Sequence, residues 1–152
     1  MTEARAYHHA NALVLGEKGV LLRGPSGSGK SAFTLALISR CQSRGDFARL
    51  VADDRVSLEG ANGRLVARPH PAISGAMELR GLGLMRMEYE PACVLHAIVD
   101  ICAPGARPAR MPEETEKSEV LLGIGLPRLC VEACCEVSVA RIIFFIQSIA
   151  TI

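Results

Sequence analysis

Eight consecutive residues, Gly24-Pro25-Ser26-Gly27-Ser28-Gly29-Lys30-Ser31, match the phosphate-binding pattern G-x-x-x-x-G-K-[ST] in full. Each residue type has a physical task. Glycines let the backbone curl until its N–H groups converge on phosphate oxygens, and a helix starting there turns its positive dipole end toward the same point. Lys30 supplies a point charge for the β- and γ-phosphates, and the Ser31 hydroxyl is a ligand suited to Mg²⁺. The pattern asks for a nucleoside triphosphate with Mg²⁺ at residues 24–31.

Other side chains could complete such a site. Leu50-Val51-Ala52-Asp53-Asp54 reads as an apolar strand ending on two carboxylates. Beside a phosphate loop, a carboxylate can hold Mg²⁺ through its waters or act as a general base near the γ-phosphate. Successive strand residues point apart, so the two aspartates should not share one role. Met77-Glu78-Leu79-Arg80-Gly81-Leu82-Gly83 places Glu and Arg two apart before glycines, which by itself is equally well a loop-stabilising ion pair. His9 (next to His8) and Arg110 (in Ala109-Arg110-Met111-Pro112-Glu113) are ordinary solvated groups when taken alone.

These residues need positioning elements, and the pattern supplies them. Ala10–Leu15 is a strand, Gly16-Glu17-Lys18-Gly19 a tight turn, and Val20-Leu21-Leu22 a strand buried on both faces. From Lys30 to Cys41, Phe33, Ala36, Leu37 and Cys41 form the stripe of an amphipathic helix. Arg49–Ala52 is a second strand, and Arg55–Leu58 and Arg64–Ala67 form a hairpin around the Gly-rich loop Glu59-Gly60-Ala61-Asn62-Gly63. Met77–Met87 alternates poorly and is expected as irregular loop, Ala92–Ile101 as a buried strand, and Ala103–Glu116 as surface loop. Strands near Val120–Leu122 and Arg128–Val131 and a helix from about Val137 complete the chain. Strand, glycine loop, helix is the opening of an α/β nucleotide-binding unit.

Composition removes several classes. With 152 residues and no internal linker the chain is expected as a single domain, 1–152. Lys+Arg number 17 and Asp+Glu 16, so no net field draws it to nucleic acid or acidic lipid. No Trp, two Tyr and four Phe leave few platforms for stacked bases. The apolar stretch Ile142–Ile152 is too short for a membrane span, which needs about 20 residues, so it is expected as a buried or partner-facing element. The start carries charge and no apolar core, unlike an export signal. The six cysteines have neither CxxC pairs nor His at zinc spacing, so reduced packing thiols in the cytoplasm are expected.

Together, His9 fifteen residues before Gly24, the phosphate loop, Val51-Ala52-Asp53-Asp54, the Glu78-Leu79-Arg80-Gly81-Leu82-Gly83 signature and Arg110 before Pro112-Glu113 resemble HPr kinase/phosphorylase. The resemblance spans about residues 9–131 and leaves the tail, 134–152, unassigned. It implies a phosphate-loop α/β fold with a mixed sheet, akin to phosphoenolpyruvate carboxykinase, and assembly as a homo-hexamer. It implies ATP and Mg²⁺, transfer to a serine of HPr, the carrier protein of the phosphotransferase system, and reversal by inorganic phosphate with release of pyrophosphate. By the same resemblance, Lys30 serves the phosphates, Asp54 is the general acid/base and Glu78 joins Ser31 on Mg²⁺. His9 and Arg110 match the remaining catalytic positions, and Arg80 lies inside the signature loop Met77–Gly83.

Two departures from the family pattern carry expectations. The chain begins near the catalytic core, as in the short α-proteobacterial form, and the helix after Ser31 looks extended through Gln42-Ser43-Arg44-Gly45-Asp46-Phe47. The family's Arg- and Gly-rich late segment, tied to dephosphorylation, is here Leu126-Pro127-Arg128-Leu129-Cys130-Val131, so kinase activity is expected to outweigh the reverse reaction. The competing readings are a small-molecule kinase of the same loop chemistry and an ATP-sensing module that transfers nothing.

Overall fold

Apolar runs become strands wherever a Gly or Asn-Gly turn lets the chain reverse. The computed structural model describes residues 6–149. Its strands are β1 (Tyr7–His8), β2 (Ala10–Leu15), β3 (Lys18–Arg23), β4 (Ala48–Ala52), β5 (Val56–Ala61), β6 (Arg64–Pro69), β7 (Ala76–Leu79), β8 (Gly83–Arg86), β9 (Cys93–Ile101), β10 (Ser118–Leu121) and β11 (Ile124–Val131). The helices are α1 (Lys30–Ser43) and α2 (Glu136–Ser148).

The main sheet runs β1-β5-β6-β9-β3-β2-β4 and is mixed. β2 and β3 form a hairpin, whereas β3 lies parallel to β9 with Arg23 opposite Asp100. β9 is the longest strand and shares one of its edges between two partners. Its start pairs antiparallel with β6, through Val94 and Cys93, and its end pairs parallel with β11, from Ile98 to Ile101. The carboxyl ends of β3, β9 and β11 therefore meet on one edge of the sheet, the edge where parallel α/β sheets place ligands.

Both faces of this sheet are covered, which explains the continuous apolar runs of β2, β3 and β9. On one face, Phe33, Leu37, Ile38 and Cys41 of α1 and Val139, Ile142, Ile143 and Ile146 of α2 pack against Leu13, Val20, Leu22, Ala97 and Val99. The sheet curls on the other face, so that β6 approaches β4 and Leu65, Ala67, Val51, Val56, Leu21 and Ile98 close a second core. Each such fully buried aliphatic side chain contributes roughly 1.5–3 kcal/mol.

Several expectations change. Met77–Met87 is a hairpin, β7–β8, with Met77 opposite Met85 and Glu78 opposite Leu84. Its alternation is weak in sequence because β8 is exposed throughout and needs no apolar face. The helix after Ser31 is not extended through Phe47. It stops at Ser43, and Gly45 at φ 80 lets Gly45 N–H and Asp46 N–H cap the carbonyls of Gln42 and Cys41. The tail is a helix, α2, whose Ile142, Ile143 and Ile146 are buried while Phe144 is 75% exposed; residues 150–152 lie outside those described. Cys41 is buried as a packing thiol, but Cys134 and Cys135 are exposed, because they precede α2 in the turn that leads into it.

Candidate active site

The loop between β3 and α1 is shaped by two glycines with different tasks. Gly29, at φ 95, is the left-handed N-cap of α1, and no side chain caps that helix. Gly24 has no room for a side chain: a Cβ there would meet Ser28 Oγ at 2.5 Å and Ile101 Cβ at 3.0 Å. Phe33 N–H donates to Gly29 O at 2.9 Å and starts the helical ladder.

Lys30 is buried, and its ammonium reaches back over the loop, donating to Gly24 O at 3.0 Å and Pro25 O at 3.5 Å. It also lies 3.0 Å from His9 Nε2, while His9 Nδ1 lies 2.8 Å from Asp54 Oδ1. An ammonium only donates, so His9 Nε2 accepts from Lys30, and the other ring nitrogen, Nδ1, is the one that stands beside the Asp54 carboxylate. Burial holds the Lys30 ammonium below the usual lysine range, against the opposing pull of Asp54 and Asp53. His9 and Asp54 are both about half-exposed, at 51% and 57%.

Asp53 stands in the opposite situation. It is buried, and its carboxylate accepts from three directions: Ser31 Oγ–H at 2.8 Å and Asn11 Nδ2–H at 3.0 Å on Oδ1, and Glu78 N–H at 3.1 Å on Oδ2. Through Asp53 the loop serine and the β7 residue Glu78 are drawn to one point, although their sequence separation gives no hint of it. The Glu78 side chain is exposed, and among the described residues no ion pair joins it to Arg80, which lies in the β7–β8 turn. Met77 at the start of the signature loop is buried under α1, whereas Leu82 is exposed at the turn.

The chemistry of the donors fits a triphosphate and Mg²⁺. The first turn of α1 has neither a side-chain cap nor an acidic residue, and Ser28 Oγ is buried with no partner. The N–H groups of that first turn are unused donors where an anion would sit, whereas the Ser28 hydroxyl is tucked against Gly24 and Ile101. The described residues contain no cluster of three or more metal-ligating His, Cys, Asp or Glu side chains. Mg²⁺, however, is commonly held by one or two protein oxygens together with substrate phosphates, and Ser31 and Glu78 suit that arrangement.

Arg110 is placed elsewhere on the same sheet edge. It lies in the exposed segment following β9 and, with Arg107, Arg128, Arg141, Glu116 and Glu132, lines an open cavity of about 590 Å³. No hydrogen bond or ion pair among the described residues joins it to Lys30, His9 or Asp54. Between that cavity and the loop stands a charge network that sequence reasoning missed. Arg23, the residue before Gly24, donates to Asp100 at 2.7 and 2.8 Å and to Glu119, while Arg128 Nε donates to Asp100 Oδ2 at 2.6 Å. Burial alone would raise the Asp100 carboxyl, but the bonds from Arg23 and Arg128 outweigh it and hold it below the usual range. Asn11 was missed as well. Its signal was present, since it is the one polar residue in the strand Ala10-Asn11-Ala12-Leu13-Val14-Leu15.

A strand–loop–helix phosphate site at the carboxyl edge of a curled mixed sheet, with Asp and Glu gathered about its serine, defines a phosphate-loop nucleotide-binding protein. A family model described as "HPr Serine kinase C-terminal domain" matches residues 1–90, and the chain belongs to that family. It is 42% identical over 67 residues to HPr kinase/phosphorylase of Clostridium tetani, covering 44% of this chain and 20% of that protein. It is 44% identical over 71 residues to HPr kinase/phosphorylase of Treponema pallidum, covering 45% and 20%. The chain thus spans about a fifth of the length of these relatives. The solved structure of the Hpr(Ser) kinase/phosphatase from Coxiella burnetii matches with a TM-score of 0.76 at 25% identity, over 94% of this chain and 95% of that one. That match continues past residue 90, through β9 and β11, which the family model does not reach.

Proposed function

We propose that this chain is an ATP-dependent protein-serine kinase acting on HPr. The observation that carries the reading is the Lys30–His9–Asp54 chain: an exposed carboxylate oriented by an imidazole, at the mouth of a phosphate loop. The family and the names of its relatives support HPr as the acceptor.

In this reading the N–H groups of the loop and the start of α1 hold the triphosphate, and Lys30 leaves Gly24 O and His9 to meet the β- and γ-phosphates. Ser31 and Glu78 would hold Mg²⁺, which would supply positive charge against the charge that develops on the phosphates. Asp53 carries three donors already and serves as an acceptor that aims Ser31 and the β7 backbone. Asp54 keeps Oδ2 free of hydrogen bonds to described residues, so that oxygen takes the proton of the incoming serine hydroxyl while His9 steadies Oδ1. The serine oxygen bonds to the γ-phosphorus as the bond to the bridging oxygen of ADP breaks. Arg110, on the same edge of the sheet, is suited to meet the transferred phosphoryl group once substrate is seated. Assembly as a homo-oligomer and action in the cytoplasm, where HPr is found, belong to the same reading.

The test is direct. Purified protein, HPr, Mg²⁺ and γ-labelled ATP should yield HPr labelled on serine, located by mass spectrometry. ATP binding without any transfer to HPr would refute the reading and leave a nucleotide-binding module.

A further inference from the structure

The residue after Asp53 is held in a conformation that L-amino acids avoid. Asp54 has φ 66, and Arg55 N–H donates to Asp53 O at 2.8 Å across it. That is a three-residue γ-turn of the positive-φ kind, which is rare and strained. Something must hold it, and the holder is a fully buried side chain on a different strand. Asn11 Oδ1 accepts from Asp54 N–H at 2.8 Å, and Asn11 Nδ2 donates both to Asp53 Oδ1 and to Thr34 Oγ1, each at 3.0 Å. Thr34 in turn donates to Lys30 O at 2.8 Å, in the first turn of α1.

Strand register explains why this amide can do so. Ala12 pairs with Ala52, and the pairing of β2 with β4 shifts one residue later, so Val51 has no partner opposite. The irregularity brings the end of β4 across from Asn11 and sends the next two residues in different directions: Asp53 inward to Ser31, Asp54 outward to His9. An amide is suited to this point because it donates and accepts at once. A carboxylate in its place would face Asp53 Oδ1 without a proton between them, and an aliphatic side chain would leave Asp54 N–H without its acceptor and take one partner each from Asp53 and Thr34.

We infer that Asn11 is a positioning residue, which fixes Asp54 in its strained turn and couples it to the phosphate-loop helix through Thr34. The inference rests on the kinase reading above, since it assigns Asn11 an effect exerted through the proton acceptor. Asn11 touches neither nucleotide nor serine. Its removal should therefore act on turnover and not on nucleotide binding.

The experiment measures kcat for HPr phosphorylation and affinity for a fluorescent ADP, in wild type, Asn11→Ala, Asp54→Asn and the double variant. Asn11→Ala should lower kcat on the order of ten- to a hundredfold, as expected for losing a buried hydrogen bond that orders a catalytic group. ADP affinity should stay within about twofold, because the loop donors remain. In the Asp54→Asn background the same substitution should cost little more, because the group it positions is already disabled. Unchanged kcat in Asn11→Ala, or an equal loss in both backgrounds, would overturn the inference. If Asn11→Ala does not fold by circular dichroism, Asn11→Ser, a polar side chain one atom too short to bridge Asp54 N–H and Thr34 as the amide does, is measured in its place with the same criteria. A wild-type chain that binds ADP but does not phosphorylate HPr would refute the kinase reading itself, and this inference with it.

Discussion

Asp53 and Asp54 are adjacent in sequence, yet their carboxylates belong to different environments: Asp53 is buried and accepts three hydrogen bonds, while Asp54 is half-exposed and faces His9 at 2.8 Å. The strained turn between them separates a carboxylate that organises the loop from one that can meet a substrate.

Asp54→Asn should accordingly reduce transfer to HPr about 10²–10⁴-fold, the usual contribution of a positioned base, with nucleotide affinity kept. Asp53→Asn should behave differently, raising the Mg²⁺ concentration needed for activity and lowering thermal stability, because it takes an acceptor from Ser31 and Glu78. Steady-state kinetics and Mg²⁺ titrations of both variants separate the roles. A larger kcat loss in Asp53→Asn with normal Mg²⁺ dependence would reverse them.

Lys30→Ala and Ser31→Ala should each weaken MgATP binding at least tenfold, since a charge-assisted contact is worth roughly 1.5–3 kcal/mol. Calorimetry checks this, and near-normal affinity in both would remove ATP from residues 24–31. Because Lys30 must leave His9 to reach phosphate, nucleotide should also change the ¹⁵N shift of His9 Nε2, an effect absent in Lys30→Ala.

The Arg23–Asp100–Arg128 network predicts a pH dependence. The Asp100 pKa is depressed on folding, so the pair's stabilisation is complete above the unfolded carboxylate value, near 3.9, and is lost as pH falls through the lower folded value. Asp100→Asn should destabilise the protein at neutral pH by about 3 kcal/mol, leaving Arg23 with Glu119 alone and Arg128 with no carboxylate, and should flatten the acid limb of the stability curve. Urea denaturation between pH 2 and pH 7 is the measurement, and an acid limb as steep as wild type would show that other carboxylates set it.

His96 works with the opposite charge. Its Nδ1 accepts from Gly19 N–H at 3.1 Å, and burial, aided by Lys18 and Arg64, lowers its pKa. Folding therefore favours the neutral ring: the stabilisation is complete above the unfolded histidine value, near 6.5, and is lost as pH falls below it. The expected slope is up to about 1.4 kcal/mol per pH unit until the folded group titrates, and it should vanish in His96→Gln. Chemical denaturation at pH 5, 6 and 7 reads it directly.

Kinase activity should exceed the reverse reaction. Removing phosphate from phosphoserine requires inorganic phosphate to be held in line, and the late segment has few donors to spare. Arg128 is already engaged by Asp100 and by Glu116 O, its N–H is given to Lys117 O, and Pro127 has none. Phosphorylated HPr incubated with the protein, Mg²⁺ and phosphate should release pyrophosphate at least tenfold more slowly than the forward reaction proceeds, the cost of one missing charge-assisted contact. Equal rates would show that phosphate is held by other groups.

The phosphate loop and the strand ending at Ala52 were legible because their residue types are dictated locally, by backbone curvature and by burial on two faces. The Met77–Met87 hairpin was not. β8 is exposed on both sides, so nothing forces alternation, and its pairing is written in the backbone. Asn11 was visible as a polar break in an apolar strand, but its partners lie 23 and 42 residues away, and no local rule connects them. The Arg23–Asp100 pair depends on the parallel register of β3 with β9. Spacing along the chain does not encode that register.

That register also decides when the site can exist during synthesis. The loop-bearing strand β3 is complete at residue 23, but its parallel neighbour β9 ends at residue 101 and β11 at residue 131. A nascent chain stopped at residue 90 contains the phosphate loop, both aspartates and Glu78, yet leaves β3 and β6 each with an unpaired edge. Such long-range pairing is slow to form, and bare strand edges invite intermolecular association. The phosphate loop, both aspartates and Glu78 therefore emerge from the ribosome well before β9, and until it arrives they belong to a chain with two bare strand edges.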